Sequence, residues 1–145
     1  MMSLMLLVVV VPVGIAAIVA AVHASGGSVA ARIADERAAR ERFADDFPDL
    51  RVRAVRLAGD GAAAFLQLED GRVGVVKAFG GKFLTRTIAA ADLAGAPRAS
   101  GLSVSLKLRD HTWRGGSFRF ADDDEARAVE AMFSALRRVN RWEER

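Results

Sequence analysis

The stretch SFRFADDDEARAVEAMFSALRRV (117–139) changes period in its middle, and that change decides the fold. Phe118 and Phe120 flank Arg119 with the two-residue alternation of a half-buried strand. After Asp122, the residues Ala126, Val129, Phe133 and Leu136 recur at three and four positions, the buried stripe of a helix. Met132 and Val139 border that stripe. Asp122 to Glu125 supply an N-cap and an acidic first turn, while Arg137, Arg138 and Arg141 suit the negative end of the helix dipole. The pattern predicts a helix over about 122–141. Its apolar side must cover something, and the open end of the preceding sheet is the natural substrate.

Upstream, Leu102, Val104, Leu106 and Leu108 alternate with Ser103, Ser105, Lys107 and Arg109, the clearest strand in the chain. LRVRAVRLA (50–58), AAAFLQLE (62–69), RVGVVKAF (72–79) and KFLTRTIA (82–89) also read as strands. Between them stand Gly59-Asp60-Gly61, Asp70-Gly71 and Gly80-Gly81, which is turn chemistry. Residues 91–99 fit no single period, with a short strand around Leu93 as the best reading. The class is therefore α+β, an antiparallel meander followed by a helix. Residues 49–145 suffice for one domain with a single core.

Before it, VAARIADERAARERF (29–43) is rich in helix formers, with Ser28 placed to cap it and Pro48 to end it. Val29, Ile33, Phe43 and Phe47 give only a sparse apolar side. The expectation is a juxtamembrane linker and short helical stalk over 25–48, opened by the flexible Ser25-Gly26-Gly27-Ser28.

Residues 4–22 form an unbroken apolar run containing three Leu, seven Val and two Ile. Its length matches a hydrocarbon core of roughly 30 Å. The twelve strongly apolar residues favour insertion by up to about 4–7 kcal/mol, and no charge opposes them. A secretory signal has a basic n-region and a shorter core. The chain therefore reads as carrying an uncleaved anchor at 1–24, and Val22-His23-Ala24 before Ser25 leaves a processed, periplasmic or secreted form as the alternative. Arg32, Arg37, Arg40 and Arg42 behind the run, with no Lys or Arg before it, favour an inner-membrane protein with a cytoplasmic body.

FLQLEDGRVGVVKAF (65–79), SGLSVSLKLRD (100–110) and the strand-to-helix stretch 117–139 together resemble the pleckstrin-homology-like superfamily in its small bacterial form. The resemblance implies a bent, partly closed β-barrel whose end is capped by the C-terminal helix. It also implies binding of lipids, peptides or proteins, enzymes being rare among members. Phosphoinositide-binding members carry a basic motif on their first hairpin. Lys77, Lys82 and Arg86 surround the Gly80-Gly81 turn here, at a spacing different from that motif, and become the candidate lipid contacts.

The net charge of +3 conceals a split. Residues 49–121 hold 12 Lys and Arg against 6 Asp and Glu, a net +6 that an anionic leaflet would attract. Nucleic acid is disfavoured, since Tyr is absent and most Phe occupy core positions. Trp113, with Arg114 beside it, stands between two strands as either an exposed partner contact or a ring folded back over the sheet. Trp142 is expected to pack beside the C-terminal helix or fray with it. The chain lacks Cys and has two His, which excludes thiol nucleophiles and zinc–thiolate sites. No catalytic residue, metal or cofactor is expected. The residues point to a noncatalytic module, an adaptor or accessory subunit whose partners are the membrane and a protein within or at it. Direct binding of anionic lipid headgroups is the alternative.

Overall fold

The computed structural model describes residues 3–24 and 30–143. The chain divides into two compact units, Met1–Ala30 and Ala31–Arg145. In the first, α1 (Leu4–Ala24) is a 21-residue helix with Pro12 inside it and no residue buried. Its mean hydropathy of 3.0 makes it long and apolar enough to cross a membrane. A helix apolar on all sides needs an apolar surrounding, and nothing within its own unit supplies one. The flexible break and the Ser28 cap fall on residues outside those described.

The second unit is α+β. It contains α2 (Glu36–Asp46), strands β1 (Val52–Leu57), β2 (Ala63–Leu68), β3 (Val73–Phe79), β4 (Lys82–Ile88), β5 (Arg98–Ser100), β6 (Ser103–Lys107) and β7 (Gly115–Arg119), and α3 (Asp123–Glu143). The helix read from Val29 begins later, at Glu36, with Asp35 as its cap: the carboxylate accepts the Ala38 N–H at 2.8 Å. The reason lies just upstream. Ala31 and Ile33 donate their N–H groups to the carbonyls of Gly80 and Gly61, each at 2.8 Å, so the backbone is engaged with the sheet and not with itself.

Strands β1 to β4 form one antiparallel meander and β5 to β7 another. Among the described residues these are two sheets of four and three strands, and no closed barrel forms, contrary to the expectation. Between β4 and β5 the chain makes a 3-10 turn at Ala90–Asp92. Leu93 pairs with Leu108 as an isolated bridge, so the strand expected around it shrinks to a single pairing that extends the second sheet. At the opposite side, the Gly59 N–H reaches the Arg119 carbonyl at 2.8 Å.

The core is double. Between the sheets and α3 lie Phe65, Val73, Val75, Ile88, Val104, Phe118, Phe120, Val129 and Phe133. Phe65 touches the rings of Phe118, Phe133 and Phe120 at centroid distances of 5.1, 5.7 and 5.9 Å. On the other face of the first sheet, Ile33 and the α2 residues Ala39 and Phe43 cover Val55, Ala64, Leu66, Leu68 and Val76. The stalk expected at 25–48 is thus, from Ala31 onward, a strap and helix seated on the sheet. A strand covered on both faces loses the apolar–polar alternation, which is why AAFL of β2 and VGVV of β3 read as continuous apolar runs.

Helix α3 follows the predicted stripe. Asp122 caps it by accepting the Glu125 N–H at 2.8 Å. Arg56 of β1 binds Glu125 at 2.7 Å, and Glu130 accepts the Ala99 N–H of β5 at 3.2 Å, so the helix is tied to both sheets.

Gly74 explains the seating of α2. A Cβ there would lie 2.6 Å from the fully buried Phe43 ring, so the missing side chain is the notch that ring occupies. Gly74→Ala should cost about 1–3 kcal/mol by overpacking, and Phe43→Ala about 3–5 kcal/mol by leaving a cavity. In chemical denaturation of the two singles and the double, the combined loss should fall short of the sum, because both act on one contact.

Candidate functional site

The register of β3 and β4 settles where the three predicted cations point. Phe79 faces Lys82, Lys77 faces Leu84 and Val75 faces Arg86. Residues directly opposite each other share a face, and alternate residues along a strand return to it. Lys77, Lys82 and Arg86 therefore lie on the face that carries Val73, Val75 and Ile88 into the core between the sheets. They share a face but not a task.

Arg86 is engaged with the connection between β6 and β7. Its guanidinium pairs with the Asp110 carboxylate and donates to the Thr112 hydroxyl. Asp110 in turn accepts the Thr112 N–H and O–H, both at 2.8 Å, so one carboxylate organises the whole bend. Lys77 places its Nζ 5.4 Å from the centroid of the Trp113 ring, within cation–π range. Lys82 stays exposed beside the Gly80-Gly81 turn. Two of the three candidate lipid contacts thus fasten a loop of their own chain.

Trp113 takes the second of its two readings. The ring is only 8 % exposed and meets Phe118 edge-on at 6.2 Å. Its Nε1 has no hydrogen-bond partner, an uncommon state for a buried indole. Arg114 beside it is exposed. Trp142 is exposed near the end of α3.

A second basic group was invisible in the sequence as a group. Arg109, Arg137 and Arg141 line a concavity of about 260 Å³ with Ala90, Leu93, Ala94 and Gly95. Arg137 and Arg141 stand one helical turn apart on α3, a spacing legible in advance. Arg109 joins them because its N–H donates to the Asp92 carbonyl at 2.9 Å, which fixes the end of β6 against the 3-10 turn. No acidic side chain lines the hollow, so it would accommodate an anion. Among the described residues no group of His, Asp or Glu is disposed to hold a metal ion. Among the same residues no charged or polar side chain is buried.

At the β2–β3 turn, the Arg72 guanidinium hydrogen-bonds to Asp70 at 2.6 Å and holds its carboxyl below the usual carboxylate range.

The chain matches no protein-family model, no curated protein and no solved structure.

Two outcomes follow for stability. Trp113→Phe keeps the edge contact and removes an unpaired donor, so it should cost far less in denaturant melts than Trp113→Ala, expected at about 3–5 kcal/mol. For Asp70 the folded-state pKa is depressed, so its contribution is present above the unfolded value of about 3.9 and fades as pH falls through the folded one. Asp70→Asn should therefore lower melting temperature at neutral pH and flatten the dependence below about pH 4, an effect kept small by exposure.

Proposed function

We propose that the chain is a single-pass membrane protein whose α1 is retained as the anchor. Its folded unit serves as a noncatalytic, pleckstrin-homology-like binding module on the cytoplasmic side, an adaptor or accessory subunit of a membrane protein assembly. The observation that carries this reading is α1 itself, 21 residues with none buried. Such a surface is stable only in lipid or against other apolar segments. The order of the second unit supports the family likeness: a four-stranded meander, a three-stranded meander and a C-terminal helix packed across them. A core made of apolar side chains alone, with the charged groups at the surface, supports a binding role over a catalytic one.

A second reading, attraction to anionic headgroups, draws support from the arginine hollow at the end of α3, since Lys77 and Arg86 are committed elsewhere.

Mass measurement of the protein recovered from washed membranes tests the anchor. An intact start at Met1 or Met2 is expected. A mature start at Ser25 in the soluble exported fraction would remove the anchored reading and replace it with the processed form. For the lipid reading, residues 31–145 are to be co-sedimented with anionic and neutral vesicles at two salt concentrations. Preferential, salt-sensitive recovery with anionic vesicles supports it, and Arg137→Glu/Arg141→Glu should abolish that preference.

A further inference from the structure

We propose that the β3–β4 turn, residues 79–82, is a membrane-contact loop. Phe79 enters the headgroup region of the bilayer that α1 spans, and Lys82 lies among anionic lipid phosphates. This rests on α1 being the retained anchor.

The first argument is connectivity. The turns joining β1 to β2 and β3 to β4 lie at the same end of the four-stranded meander. The incoming chain crosses that end: Ala31 N–H binds the Gly80 carbonyl at 2.8 Å, Arg32 Nε the Asp60 carbonyl at 2.9 Å, and Ile33 N–H the Gly61 carbonyl at 2.8 Å. Ala31 stands seven residues beyond Ala24 in the sequence. Seven residues reach at most about 25 Å, so with α1 in the bilayer the tether is short enough to let the Gly80 turn reach the lipid surface.

The second argument is the side chain found there. Phe79 is 75 % exposed and belongs to neither apolar cluster. The other large hydrophobic side chains exposed on this unit, among the described residues, are Val139 and Trp142, both on α3. An aromatic ring without cover at the tip of a hairpin fits the interface, where one side is apolar and the other wet. Gly80, at φ +59°, and Gly81 carry no side chains, and a Cβ at either would meet nothing within 4 Å. The two turn residues therefore add no side chain that could cover the Phe79 ring. Lys82, directly opposite Phe79 in the ladder, supplies the cation, and its long apolar stem can follow the ring while the ammonium stays with phosphate.

The chain contains no cysteine, so single cysteines can be labelled cleanly. The full chain is reconstituted in phosphatidylcholine–phosphatidylglycerol vesicles with an environment-sensitive fluorophore at Gly81→Cys, Ala16→Cys or Glu69→Cys. Quenching by lipids spin-labelled near the headgroup or deep in the acyl chain then reports depth. Expected are shallow quenching with a blue-shifted emission at position 81, deep quenching at 16, and neither at 69 on the far turn of β2–β3. Adding Phe79→Ser and Lys82→Glu to the Gly81→Cys chain should abolish the quenching at 81. Deep quenching at 16 with no difference between 81 and 69 would overturn the loop while leaving the anchor intact. Quenching at 81 that survives the double substitution would equally overturn the roles given to Phe79 and Lys82. Absence of quenching at 16 would overturn the anchor and the proposal together.

Discussion

The contact on which the folded unit depends is the ring of Phe65 against those of Phe118, Phe120 and Phe133. Phe65 sits mid-way along β2, Phe118 lies in β7, Phe120 follows it, and Phe133 belongs to α3. Aliphatic packing around them, the hydrogen bond from Gly59 to Arg119 and the pairing of Arg86 with Asp110 also join the two sheets. Edge-to-face aromatic pairs add directional preference to area burial. They fix an angle between the layers that aliphatic packing would leave loose, and the helix is held at the same point.

A consequence is that the first sheet works on both sides. Its inner face goes to Phe65 and the second sheet, and its outer face to α2 through the Gly74 notch. The chain that follows α1 is bound before it becomes helical again, by three donors at residues 31–33 directed at two turns. Residues 31–33 are hydrogen-bonded across one end of the sheet, and the exposed Phe79 occurs at that end.

Electrostatics in this unit serve geometry first. Arg86 in β4 and Asp110 in the β6–β7 connection stand 24 residues apart, yet their pairing, with Thr112, shapes that connection. Lys77 over Trp113 supports the same connection. Positive charge open to a ligand includes Lys82 at the turn and the three arginines around the hollow at the end of α3. A composition-level excess of +6 over residues 49–121 says nothing of this division.

Periodicity made most of the elements legible. The 19-residue apolar run, the alternation from Leu102 to Leu108, the glycine-bearing turns and the stripe Ala126, Val129, Phe133, Leu136 each report a local repeat, and local repeats are set by backbone geometry alone. Of the candidate site, the grouping of Lys77, Lys82 and Arg86 around the Gly80-Gly81 turn was legible, while their shared face rests on the β3–β4 register that the structure supplies. Tertiary structure alone decided what covers each face. The sparse apolar side of residues 29–47 gave no sign of a docking groove, because the groove is an absence, the missing Cβ of Gly74. The placing of Lys77 over Trp113, the loss of Arg86 to Asp110 and the meeting of Arg109 with α3 all join residues more than twenty positions apart. Alternation along a chain says which way a side chain points, and only the packing of distant segments says what it meets there.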